Sequence, residues 1–133
     1  MNGIQAIKKE KGLTAITVRD CVRTADAFSE LGIRGVIMPN GRETVLITDE
    51  DSDKIGGFIE RCCPSAVAES GIGSVTACGD SMLGRDRAAE RILRMLDGDG
   101  ISARFVSVSD TSVTVYLDER DLDRAWRILG EII

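Results

Sequence analysis

Hydrophobic and polar residues alternate in short blocks along the chain, and the blocks change period in a regular order. Residues 3–7 and 13–18 are β-prone runs separated by the charged stretch KKEKG, which predicts a hairpin closed by Gly12. Thr24, Ala27, Phe28 and Leu31 fall at helical spacing and stop at Gly32. Residues 33–38 and 43–48 flank PNGR, in which Asn40-Gly41 is a pair that tight hairpins favour. Ser52 is placed to cap a helix that carries Ile55, Phe58, Ile59 and Cys62 on one face, with Pro64 just beyond its end.

The second half repeats this order. Residues 66–69 and 74–78 read as strands, and 86–96 as a helix whose Ala89, Ile92, Leu93 and Leu96 form a buried stripe ending at DGDG. Residues 101–108 and 112–117 predict a second hairpin, and the helix after it buries Leu122, Ala125, Trp126 and Leu129. Setting Ile33 against Ile101 aligns the two halves without a gap: Val45 meets Val113, Ile47 meets Val115, Asp53 meets Asp121 and Phe58 meets Trp126. Each half is strand, helix, strand, strand, helix, with a further strand to complete it. Such β-α-β-β-α-β units place both helices on one face of an antiparallel sheet, the ferredoxin-like arrangement. The expectation is an α+β chain of two modules side by side, 1–65 and 66–133, with strands exchanged between them.

Composition narrows the chemistry. A chain of 133 residues that is 43% hydrophobic has enough apolar material for a core. No apolar run approaches the roughly 20 residues that span a bilayer, and MNGIQAIKKEKG lacks the apolar centre of a signal peptide, so the expected compartment is the cytoplasm, without membrane contact. A net charge of −5 disfavours nucleic acid, whose binding depends on neutralised phosphates, and 4% aromatic residues supply few stacking platforms. Histidine is absent, which removes Ser-His and Cys-His nucleophile systems, and neither a P-loop nor a G-x-G-x-x-G turn occurs. No catalytic residue and no cofactor is assigned, and an enzyme in its own right is the weakest reading. Cys21, Cys62, Cys63 and Cys78 form no C-x-x-C pair, so they read as thiols in a reducing compartment rather than as a zinc site. Asp49, Glu50, Asp51 and Asp53 lack the glycine and distal glutamate of a calcium loop; no metal is assigned.

The stretch GIGSVTACGDSMLGRDRAAERILRMLDGDGISARFVSVSDTSVTVYLDERDLDRAWRILGEI resembles the second of the tandem ACT modules that regulate aspartokinases. The likeness lies in a strand ending at Gly79, a loop with Met82 and Gly84, and a serine-rich turn, alternating strand and acidic helix start bearing Asp110, Asp118 and Asp121. GIQAIKKEKGLTAITV is similar to the strand pair that opens such regulatory regions. The resemblance implies a non-catalytic regulatory chain or fragment that binds lysine or threonine, forms a homodimer and acts on a kinase catalytic domain in cis or in trans. Effector binding is implied at Asp20, Cys21, Val22, Ile33 and Asn40, closed by Ser102 and Ala103 of the other module. A second strand-to-helix corner comprises Asp80, Ser81, Met82, Gly84 and Arg85. Helix N-termini of this kind offer unpaired N–H groups to a carboxylate. The first corner runs from ITV straight to RDCVRTADAF, shorter than the second and without the family's proline–glycine step. The alternative reading is therefore an ACT-type assembly module that holds subunits together without sensing an amino acid.

Overall fold

The structure is a computed structural model that describes residues 6–19, 25–38, 41–79 and 85–131. Its elements are β1 (Ala6–Arg19), α1 (Ala25–Glu30), β2 (Ile33–Ile37), β3 (Glu43–Thr48), α2 (Ser52–Cys62), β4 (Val67–Cys78), α3 (Arg85–Gly98), β5 (Ala103–Val108), β6 (Ser112–Asp118) and α4 (Leu122–Gly130). The strands follow the order β2-β3-β1-β4-β6-β5, with β2 and β5 at the ends. The pairings of β1 with β3, β2 with β3, β4 with β6 and β5 with β6 are antiparallel. This is the expected α+β architecture.

Two compact units share these elements. The first unit is Gly12–Gly71; the second joins Met1–Lys11 to Ile72–Ile133. Both β1 and β4 belong in part to each, and residues 6–11 group with the C-terminal half of the chain. The strands change unit beside Gly12, with φ of +73°, and Gly71, with φ of +75°. A side chain is strained in that left-handed region, whereas glycine enters it freely. The hairpin expected at KKEKG does not form, nor does a break within residues 66–78, because each stretch is one long strand. A single left-handed residue bends an extended run, while a two-residue I′ reversal needs two in succession.

In the first unit, Ile16, Val18 and Leu46 of the strands pack with Ala27 and Leu31 from the α1 segment and Ile55 and Phe58 of α2. Both helices therefore cover one sheet face. Asp51, rather than the expected Ser52, caps α2: its Oδ1 accepts a hydrogen bond from the Lys54 N–H at 2.9 Å. Arg61 of α2 reaches Glu30 of α1 at 2.6 Å, and this carboxylate raises the guanidinium's already high pKa. A Cβ at Gly57 would stand 3.0 Å from the Arg61 guanidinium, so glycine leaves room for that bridge.

In the second unit, Val75, Ala77, Val113, Val115 and Leu117 pack against Ala89, Ile92 and Leu96 of α3 and Leu122, Ala125 and Leu129 of α4. Trp126 is only half-buried. Lys9 Nζ lies 5.1 Å from the centre of its ring and 3.0 Å from Asp123 Oδ1. Hydrogen bonding to Lys9, and then its charge, holds the Asp123 carboxyl below its ordinary range.

The gapless repeat fails in detail. Val113 and Val115 face the helices, but their expected counterparts Val45 and Ile47 flank Leu46, which is the β3 residue that joins the helix core. Successive strand residues point to opposite faces, so the alignment is out of step by one residue here. In the helices, Ile55 and Phe58 occupy the i, i+3 relation held by Leu122 and Ala125, leaving Trp126 on the flank.

Candidate functional site

Of the residues expected to bind an effector, Asp20, Cys21, Val22 and Asn40 lie outside the described residues, as do Asp80, Ser81, Met82 and Gly84 of the second corner. Arg85 is the first residue of α3. Ile33 opens β2, where it is half-buried against the core of the first unit. Ser102 and Ala103 lie in the second unit and share one hollow.

That hollow is a groove of about 650 Å³ between α3 and the edge strand β5. Ala89, Leu93, Ile101 and Ala103 give it an apolar lining, and Glu90, Arg94, Asp97 and Ser102 contribute polar groups. Helical spacing explains the arrangement: residues 90, 94 and 97 follow each other at i, i+4 and i+7, one flank of α3, while Ile92 and Leu96 turn into the core. Arg94 bridges Glu90 at 2.6 Å, and both side chains are largely exposed. A second hollow of about 480 Å³ borders the same helix at Glu90, Arg91, Arg94 and Met95. The sequence reading of α3 followed its apolar stripe and passed over this flank. Its signal was the Glu90–Arg94 pair followed by Asp97.

The acidic stretch after β3 is consumed locally. Glu50 accepts from the Gly32 N–H through Oε1 at 3.2 Å and pairs with Lys54 through Oε2 at 3.6 Å, and Asp49 meets Arg34 at 3.8 Å. Among the described residues no group of three His, Cys, Asp or Glu side chains is arranged to hold a metal ion. Cys62 and Cys78 are thiols, whereas the buried Cys63 after α2 is disulfide-bonded, a departure from the all-thiol expectation. Among the same residues no helix is long and apolar enough to cross a membrane.

No protein-family model matches the sequence, and no curated protein sequence matches it significantly. Solved structures do match. A chain from the crystal structure of aspartokinase alpha and beta subunits is 21% identical, with a TM-score of 0.76 over 96% of this chain and 97% of that one. The ligand-free regulatory subunit of aspartate kinase from Thermus thermophilus is 11% identical, with a TM-score of 0.79 over 98% and 99%. The chain has the fold of an aspartokinase regulatory subunit. Aspartokinase III from E. coli, solved in complex with lysine and aspartate, is 10% identical; the TM-score is 0.69 over 96% of this chain but 33% of that enzyme. The aspartokinase regulatory fold thus occurs both as a separate subunit and within a longer kinase chain.

Proposed function

We propose that the protein is an amino-acid-sensing regulatory chain of an aspartokinase, acting in the cytoplasm on a kinase catalytic domain in cis or in trans. The observation that supports this reading best is the end-to-end likeness to a separate regulatory subunit, which spans nearly all of both chains. Each compact unit then represents one ACT-type module with exchanged β1 and β4 segments. Two copies form a homodimer, since β2 and β5 end the strand order and an open strand edge invites pairing.

The effector is lysine or threonine, and Asp20, Cys21, Val22, Ile33 and Asn40, together with Ser102 and Ala103, are the residues that bind it. The corner Asp80–Arg85 is the second candidate. Support comes from the groove beside β5, in which Ser102 lies with Asp97, an acid suited to an ammonium group. Lysine is favoured by the complex of the E. coli enzyme. Regulation follows from differential affinity: an amino acid that binds one arrangement of the dimer more tightly draws the population, and the attached kinase, toward it.

Calorimetric titration of the folded chain with lysine, threonine and methionine tests the reading. Saturable heat with lysine or threonine, abolished by Asp20→Ala or Ser102→Trp, is the expected outcome. Absence of heat with all three, from protein that is folded and dimeric, makes the chain a non-sensing assembly module.

A further inference from the structure

The oxidation state of the cysteines singles out one bond. The chain has four: Cys21, Cys62, Cys63 and Cys78. Cys62 and Cys78 are thiols and Cys63 is in a disulfide, so within a single chain Cys21 is the cysteine left to pair with it. Cys21 lies outside the described residues, two positions past the end of β1, and its sequence neighbours are Asp20 and Val22. Cys63 is a firm anchor. It follows α2 directly, is 3% exposed, and belongs to the core of the first unit with Ile55 and Phe58. Its N–H donates to the Ile59 carbonyl at 3.0 Å, and its own carbonyl accepts from the Ala66 N–H at 2.9 Å.

A bond between these cysteines ties a fixed point in the core to the corner proposed to bind the effector. Both residues belong to the unit Gly12–Gly71. Disulfides are uncommon in a reducing cytoplasm, where those that form are mostly transient, catalytic or redox-sensing. A tether at the corner also matters for binding, because a site held in its bound conformation loses less freedom when the ligand arrives. We infer that a Cys21–Cys63 disulfide is a redox switch on the effector corner, which binds the amino acid more tightly when the bond is closed than when it is reduced. A dithiol is the reductant. One of its thiolates attacks a sulfur of the bond, forming a mixed disulfide while the other cysteine leaves as a thiolate. Its second thiol then displaces the remaining cysteine. The dithiol departs as a disulfide, and its two electrons and two protons end on Cys21 and Cys63.

This inference rests on the amino-acid sensing of the proposed function and adds its control. Mass-spectrometric mapping of the denatured, alkylated chain without reductant is expected to show one linked pair, residues 21 and 63, with Cys62 and Cys78 alkylated. Calorimetry with lysine and threonine then compares the oxidised chain, the same chain in excess dithiothreitol, and Cys63→Ala. Reduction and Cys63→Ala each raise the effector dissociation constant about tenfold, within the usual range of coupling between sites. Cys62→Ser keeps the affinity of the oxidised chain and its response to dithiothreitol. Circular dichroism reports whether the reduced chain is folded; one that has unfolded makes the bond a structural staple and overturns the switch. Equal affinity in the two states also overturns it, while leaving the sensing standing. No saturable heat in either state overturns both. A map in which Cys21 is alkylated overturns the switch whatever the calorimetry shows.

Discussion

The two units share one order of strands and helices yet finish their edges differently. In the second, the fourteen-residue α3 lies along β5; Ala89, Ile92 and Leu96 fill the core and Leu93 is left half-covered above a groove. In the first, Phe28 of α1, which the helical spacing placed inside, is 61% exposed, with Val36 and Met38 of the neighbouring edge also exposed. Topology therefore sets which face is buried, while the described side chains show that the two edges are covered to different extents. A repeat that is symmetric in pattern produces two unequal surfaces.

Several substitutions break or sharpen this comparison. The largest effect falls on the core: Phe58 is fully buried, and Phe58→Ala costs about 3–5 kcal/mol by chemical denaturation. Trp126→Ala, at the position the gapless repeat equates with it, costs roughly half as much because the indole is only half-buried. Equal losses would restore the gapless alignment.

Backbone conformation ranks next. Gly71→Val forces a side chain into the left-handed region and costs about 1–2 kcal/mol, although no atom lies within 4 Å of the new Cβ. Gly56→Ala, on the exposed side of α2 and with equally open space, instead gains about 0.5–1 kcal/mol. Opposite signs in denaturant midpoints verify that φ, rather than space, decides.

The helix starts differ as well. Asp51→Ala removes a capping bond and costs about 1 kcal/mol. Asp121 begins α4 without a side-chain cap, so Asp121→Ala stays within about 0.5 kcal/mol of the parent in the same assay.

The smallest effect is confined to alkaline solution. Tyr116 in the second unit is the chain's single tyrosine, and its pKa is raised first by burial and then by the charge of Glu10. An unfolded tyrosine ionises near pH 10, so the stability linked to Tyr116 is whole below about pH 10 and is lost as pH rises through the higher folded value. Denaturation midpoints measured from about pH 8 to 11 fall more steeply for the parent than for Tyr116→Phe.

Periodicity made the architecture legible: the hairpin strands, α2 and α4 follow from alternation and helical spacing. It failed at Gly12, where a glycine beside lysines signals a departure from extended backbone without revealing whether the chain reverses or bends. Parity between the repeats was also hidden, because Val45, Leu46 and Ile47 are consecutive apolar residues buried on both faces, so no alternation marks the core side. At the candidate site, Ser102 and Ala103 came from the family resemblance, while Glu90, Arg94 and Asp97 needed the structure. Charged residues on a helix flank look like ordinary solvated surface until the strand beside them is known to be an edge.

The sharing of β1 bears on how the molecule is made. A ribosome delivers residues 6–11 before the rest of both units, yet their own unit is completed only when the chain beyond Ile72 has emerged. Residues 12–71 are contiguous and can gather their core sooner, so synthesis from the N-terminus gives the first unit a head start while the opening strand waits. Residues 6–11 are thus among the last pieces to find their place.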